Sequence, residues 1–234
     1  MFVAMIILVG VGHVFDISEQ VKSIVEENMP VAIGLELDMN RFQYVKARAE
    51  GRPVPEPKGQ LAKFQARIAE DFGVKAGDEM VAGLTAASQI NAKLYLIDMD
   101  IMQVVMRFRK QMTFKEKLKW WGSMFALPFI RKKTVEKELE RYEEEGESVI
   151  EEAGKSFPTL KKVLLDDRNQ HMANNLLQME EKHGKVLAIV GDGHIPGMSE
   201  ILKSRELKLI RLKEVREWKP SEESTGSISY SFNA

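Results

Sequence analysis

The chain has 234 residues, 44% hydrophobic and 29% charged, with 34 Lys and Arg set against 35 Asp and Glu. That length and apolar content suit one sizeable globular domain, and a net charge of −1 gives no global field that favours nucleic acid. Cysteine is absent, which excludes disulfides and thiolate metal ligands.

The apolar run at 2–9 follows no basic segment and is too short to span a bilayer, so it reads as a buried first strand of a cytoplasmic protein. It runs into "GVGHV", which puts His13 just past the strand. The spacing of apolar residues then predicts a helix over 17–27, a strand over 31–37, and helices over 39–50 and 61–72 around the Pro/Gly loop "GRPVPEPKG" at 51–59. A helix over 78–91, with Asp78 as its cap, leads to a strand over 93–97. Further on come a helix over 164–182, a strand over 185–190, a short helix over 198–203 and a strand over 207–212. Alternating strands and helices predict an α/β fold: a mainly parallel central sheet flanked by helices, in a single domain over 1–218.

Residues 113–156 interrupt the alternation. Val135, Leu139, Tyr142, Val149, Ile150 and Ala153 form a helical stripe, preceded by "WWGSMFALPFI" at 120–130. We read an inserted helical hairpin or lid here. Its exposed aromatic side chains predict a homodimer through 113–156, and its basic flanks leave open a peripheral contact with a membrane surface. The polar stretch 219–234 is expected to be a partly disordered tail.

The chemistry points to the strand ends. In an open parallel sheet, ligands bind at the carboxyl edge. His13 and His194 both follow Gly-x-Gly at such an end, in "GVGH" and "GDGH", and "GLELDMNR" supplies Glu36, Asp38 and Arg41 at a third. A simple right-handed strand–helix–strand unit would place the second strand beside the first. Two histidines and one carboxylate would then converge, a recurrent set for a divalent metal with open positions. "GDEM" puts Glu79 at a helix start, and "LLDDRN" puts Arg168 near another, where it could hold a substrate carboxylate or an oxyanion. His171 and His183 lie in a polar helix and are assigned to the surface. A dinucleotide-binding reading of "GVGHVF" competes, with Glu36 where a ribose-binding acid would fall, but Phe15 stands where the third glycine of that fingerprint belongs.

Taken together, "GVGHV", "ELDMNR", "GDEMVAGLTAASQINAKLYLID", "VLLDDRN" and "VGDGHIPGM" resemble the TraB/PrgY family, to which the Tiki proteases are related, over about residues 5–205. Its hallmark is two Gly-x-x-His motifs with a glutamate between them, here beginning at Gly10 and Gly191. The resemblance implies an α/β core related to the erythromycin-esterase and ChaN-like folds. It implies peptide cleavage supported by a divalent ion, manganese or cobalt, at His13, Glu36 and His194, with Arg41 and Glu79 as the next site residues. Related esterases use similar His and Glu residues to activate water without an evident metal. PrgY-like members limit a peptide pheromone at the cell membrane. Two departures stand out: Asp38 where relatives often carry Cys, and Met99 where relatives often carry Arg after Asp98. The leading expectation is a metal-dependent peptidase in which Glu79 or Asp38 shuttles a proton and Arg41 or Arg168 orients the substrate. The alternatives are a peptide-binding protein without turnover and a nucleotide-binding module.

Overall fold

The computed structural model describes residues 4–12, 15–52, 77–118, 155 and 158–219. In chain order these form β1 (Met5–Val11), α1 (Ser18–Asn28), β2 (Ala32–Leu35), α2 (Met39–Ala49), α3 (Asp78–Gln89), β3 (Lys93–Leu96) and α4 (Ile101–Gln111). A helical turn at Pro158–Lys161 and a π-helical turn at Lys162–Asp166 run into α5 (Asp167–His183). β4 (Lys185–Gly191), a 3-10 turn (Asp192–His194), α6 (Ile195–Leu202), β5 (Leu207–Ile210) and α7 (Leu212–Glu217) complete the described chain. The predicted helix 61–72 and most of the predicted insertion lie outside the described residues.

The five strands are all parallel and ordered β3-β2-β4-β1-β5. The expected α/β class holds, but the expected neighbour of β1 does not: β4 lies between β1 and β2. Burial explains the order. β1 and β4 are apolar along nearly their whole length and are covered on both faces, as central parallel strands must be. β3 and β5 carry the exposed Lys93 and Lys208, and they take the edges.

Side chains alternate across this sheet with period two. Ile7, Val9, Ile33, Leu35, Leu187 and Ile189 pack with α1, α3 and α7 on one face. Ile6, Leu8, Ala32, Val186, Ala188 and Val190 pack on the other with Met172, Leu176 and Met179 of α5 and Met198 and Leu202 of α6. A crossover helix between parallel strands runs against them, so α5 begins at the carboxyl edge of the sheet.

Two local expectations change. Gly77, in the left-handed region at φ 90°, caps α3; Asp78 is already helical and pairs with Arg48. α4 was not expected from the sequence, although it is amphipathic, with a wide apolar face that includes the buried Val104 and the exposed Met102 and Met106.

Candidate functional site

The site forms where β2 and β4 end together. The Glu36 amide donates to Ile189 O at 3.1 Å, which extends the β2–β4 ladder one residue past Leu35 and sets Glu36 beside Gly191. The Gly191 amide donates to Glu36 Oε2 at 2.5 Å. A Cβ on Gly191 would lie 3.3 Å from that oxygen, so glycine leaves the carboxylate room to dock on the backbone.

His194 ends the 3-10 turn after β4, buried, with Nε2 at 3.3 Å from Glu36 Oε1. Its Nδ1 lies 2.6 Å from Asn169 Oδ1 in the first turn of α5. An amide oxygen only accepts, so this contact keeps a proton on Nδ1 and turns Nε2 toward Glu36. Gly197 makes the contact possible: a Cβ there would sit 2.2 Å from Asn169 Nδ2. The first motif uses its glycine in a related way. A Cβ on Gly10 would fall 2.2 Å from Asp192 Oδ1, and Asp192 ties β4 to Arg211 and to the Leu212 amide. These glycines therefore accommodate the protein's own carboxylates.

Behind Glu36 runs a chain of alternating charge. Arg168 donates to Glu36 Oε1 and reaches both oxygens of Asp98, with Nε at 2.9 Å from Oδ1 and Nη2 at 2.7 Å from Oδ2. Arg41 Nη2 also reaches Asp98 Oδ2, at 2.6 Å, and its Nε reaches Asp38 Oδ2 at 3.0 Å. Asp38 caps α2 by accepting the Arg41 amide, and accepts the Ile101 amide at the start of α4. Three carboxylates (Glu36, Asp38, Asp98) thus face two guanidinium groups.

Burial alone would push the Glu36 carboxyl up. His194, Arg168 and the Gly191 amide outweigh burial and hold it well below the usual carboxylate range. Burial likewise opposes the charge on Arg168, and its bonds to Asp98 and Glu36 overcome that opposition and keep it protonated. Asp38 is also lowered: burial is outweighed by the Arg41 amide and guanidinium.

Of the residues expected from sequence, Glu36, His194, Arg168 and Arg41 come together in this one network. Glu79 is buried in the first turn of α3. His13 lies outside the described residues; β1 ends two positions before it, with Val11 level with Gly191 of β4. Among the described residues no three His, Asp or Glu side chains form a metal-binding group. His171 is exposed as expected, whereas His183 is half-buried and pairs with the Tyr95 hydroxyl at 2.6 Å. Two members were missed. Asn169 directly follows Arg168 in "DDRN", and its signal was the glycine of "GHIPG" that makes room for it. Asp98 was noted only as the residue before Met99, yet it joins the two arginines.

The profile of the TraB/PrgY/gumN family matches residues 4–209. The chain belongs to that family. A TraB/PrgY/gumN assignment covers β1 to β4, all but the last residue of β5, and Glu36, Asp38, Arg41, Asp98, Arg168, Asn169 and His194. Among similar proteins, an uncharacterized protein of Methanocaldococcus jannaschii, MJ1365, is 31% identical over 234 positions, covering 92% of this chain. The chain spans 59% of the length of that relative. A more distant likeness, at TM-score 0.42 and 13% identity, is to the haem-binding ChaN of Campylobacter jejuni, covering 89% of this chain and 81% of that one.

Proposed function

We propose that this TraB/PrgY/gumN protein is a metal-assisted hydrolase acting on peptides, with His13, Glu36 and His194 holding one divalent ion, manganese or cobalt. The observation that carries this reading is the pair Glu36–His194. With Nδ1 hydrogen-bonded to Asn169, Nε2 is the ring nitrogen that faces Glu36 Oε1, at 3.3 Å. A proton on Nε2 would bridge this pair in the metal-free protein, and 3.3 Å also suits two ligands of one ion at bond lengths of about 2.0–2.2 Å once that proton is displaced. The charge balance agrees, since three carboxylates face two arginines and leave room for added positive charge.

When bound, the ion would lower the pKa of a coordinated water and polarise the scissile carbonyl. The residues of the chain divide the remaining tasks. Asn169 fixes the His194 ring. Arg168, anchored on Asp98 through two bonds, keeps its place if Glu36 Oε1 turns to a cation, and from there stabilises developing negative charge on the substrate. Glu79 is the candidate for moving a proton. Arg41 steadies Asp98 and orients the substrate from its partly exposed side.

A second reading rests on a different observation: both Glu36 oxygens already accept hydrogen bonds, from Gly191 and Arg168. If those bonds persist, the crevice binds a peptide without cleaving it. The test is metal analysis of protein purified without chelator, followed by incubation with a peptide library. Stoichiometric metal with cleavage that a chelator stops supports the hydrolase. Peptide capture with no metal and no cleavage sinks it in favour of the binder.

A further inference from the structure

α4 has a wide apolar face, and its own domain buries only part of it. Val104 and Phe108 pack against Met99, Val163 and Leu164. Met102 and Met106, one turn apart farther round that face, are 58% and 59% exposed. After a break at Met112 the chain is helical again over 114–118, where Phe114 and Leu118 repeat the same spacing at 80% and 67% exposure. Large apolar side chains exposed in series mark an interaction surface.

The charges around them are one-sided. Residues 101–118 carry Arg107, Arg109, Lys110, Lys115 and Lys117, all exposed, against one acid, Glu116. Glu116 is buried and accepts from both Thr113 and Thr159, so it does not offset the exposed cations; Asp167 pairs with Arg107 at 3.7 Å, which leaves four for a partner. In a chain of net charge −1 this is a local concentration of positive charge.

We propose that residues 101–118 dock this protein on an anionic lipid bilayer. Met102, Met106, Phe114 and Leu118 enter the boundary between headgroups and acyl chains, and Arg109, Lys110, Lys115 and Lys117 meet the lipid phosphates. A bilayer offers apolar and anionic surface together and asks for no shape match, which suits unbranched, adaptable Met side chains. An acidic protein partner would have to supply both in one complementary patch. The surface adjoins the carboxyl edge of the sheet, because the Ile101 amide donates to Asp38 at 3.0 Å. Docking would hold the site at the membrane margin, whatever chemistry the site performs.

The test is flotation of the whole chain with vesicles of phosphatidylcholine alone or mixed with phosphatidylglycerol. Binding should favour the anionic vesicles by about tenfold or more and weaken in high salt. Met102→Ser with Met106→Ser, and separately Lys115→Glu with Lys117→Glu, should each lower partitioning by about tenfold or more. All four positions are exposed, so circular-dichroism melting curves should not move. Absent or charge-blind binding overturns the proposal, as does binding that survives both variants. A dimer, seen by light scattering, that the methionine variant dissolves would also overturn it, because a second copy would then cover this face.

Discussion

Glu36 stays ionised where burial opposes it, so its charge should be visible in stability. Its depressed folded value means that the stabilisation is present above the ordinary carboxylate range and is lost as pH falls through the folded value. Urea melts of wild type and Glu36→Gln should differ most near neutral pH, and the gap should close progressively below about pH 4.5. A gap that persists unchanged into acid would mean that shape, not charge, is what the substitution removes. If Glu36 also holds an ion, the same variant loses metal at neutral pH; full occupancy with lowered stability would point to a purely structural carboxylate. Asn169 gives a second test. Asn169→Ala orphans the buried Nδ1–H of His194, at a cost of about 1–3 kcal/mol. Losing such an orienting partner typically weakens metal binding by about 10–100-fold. Gly197→Ala, which pushes Asn169 aside, should reproduce the metal defect in weaker form. Imidazole ¹⁵N shifts will show whether His194 leaves the Nδ1–H form in both variants. The sequence made Glu36 and His194 legible because each follows a short apolar strand. It hid Asn169 and Asp98, whose partners lie 25 positions away for Asn169 and 57 and 70 for Asp98, on other elements of the fold.

Among the elements, the stem of the predicted insertion is held by one carboxylate. Glu116 accepts from the amide and hydroxyl of Thr113 at 2.9 and 2.8 Å, and from the amide and hydroxyl of Thr159 at 2.8 and 2.9 Å. Burial raises its pKa, and the Thr113 and Thr159 bonds more than reverse that, bringing it down to about 2. Thus residues 43 positions apart meet at a single side chain, which ties the described chain before residue 119 to the described chain after residue 157. Glu116→Ala should cost about 2–3 kcal/mol, since hydrogen bonds to a charged group are lost and buried donors are left unpaired. The contribution should be intact above about pH 4.5 and fade between there and about pH 2. Proteolysis should then cut the variant within 113–159 faster than wild type; an unchanged rate would mean that other contacts close the stem. Helix periodicity located α1, α2, α3 and α5 within a few residues; α1, α3 and α5 each bury a stripe, while α2 buries Val45 and packs Phe42 and Tyr44 beside it. It passed over α4, an amphipathic helix whose wide apolar face is buried at Val104 and exposed at Met102 and Met106.

At the scale of the molecule, the expected homodimer through 113–156 remains a prediction, mostly about residues outside those described. Trp121→Ser with Phe125→Ser should give a folded monomer, and unchanged mass by light scattering at low concentration would rule the interface out. The fold class was readable from the alternation of strands and helices. The strand order was legible only in part: one ion for His13 and His194 required the first and fourth strands to lie together, as β1 and β4 do, but the rule that places consecutive strands side by side says nothing of a later strand that enters between them. That order has a consequence for how the protein comes into being. The middle strand of the sheet is made of residues 185–191, near the far end of the described chain. As the chain leaves a ribosome, β1 and the β2–β3 pair can form only as two separate fragments, each with an apolar flank that has no partner. The segment that joins them also delivers the second histidine and the amide that receives Glu36. Assembly of the sheet and arming of the site are therefore one late event, and a nascent chain halted before residue 185 has neither.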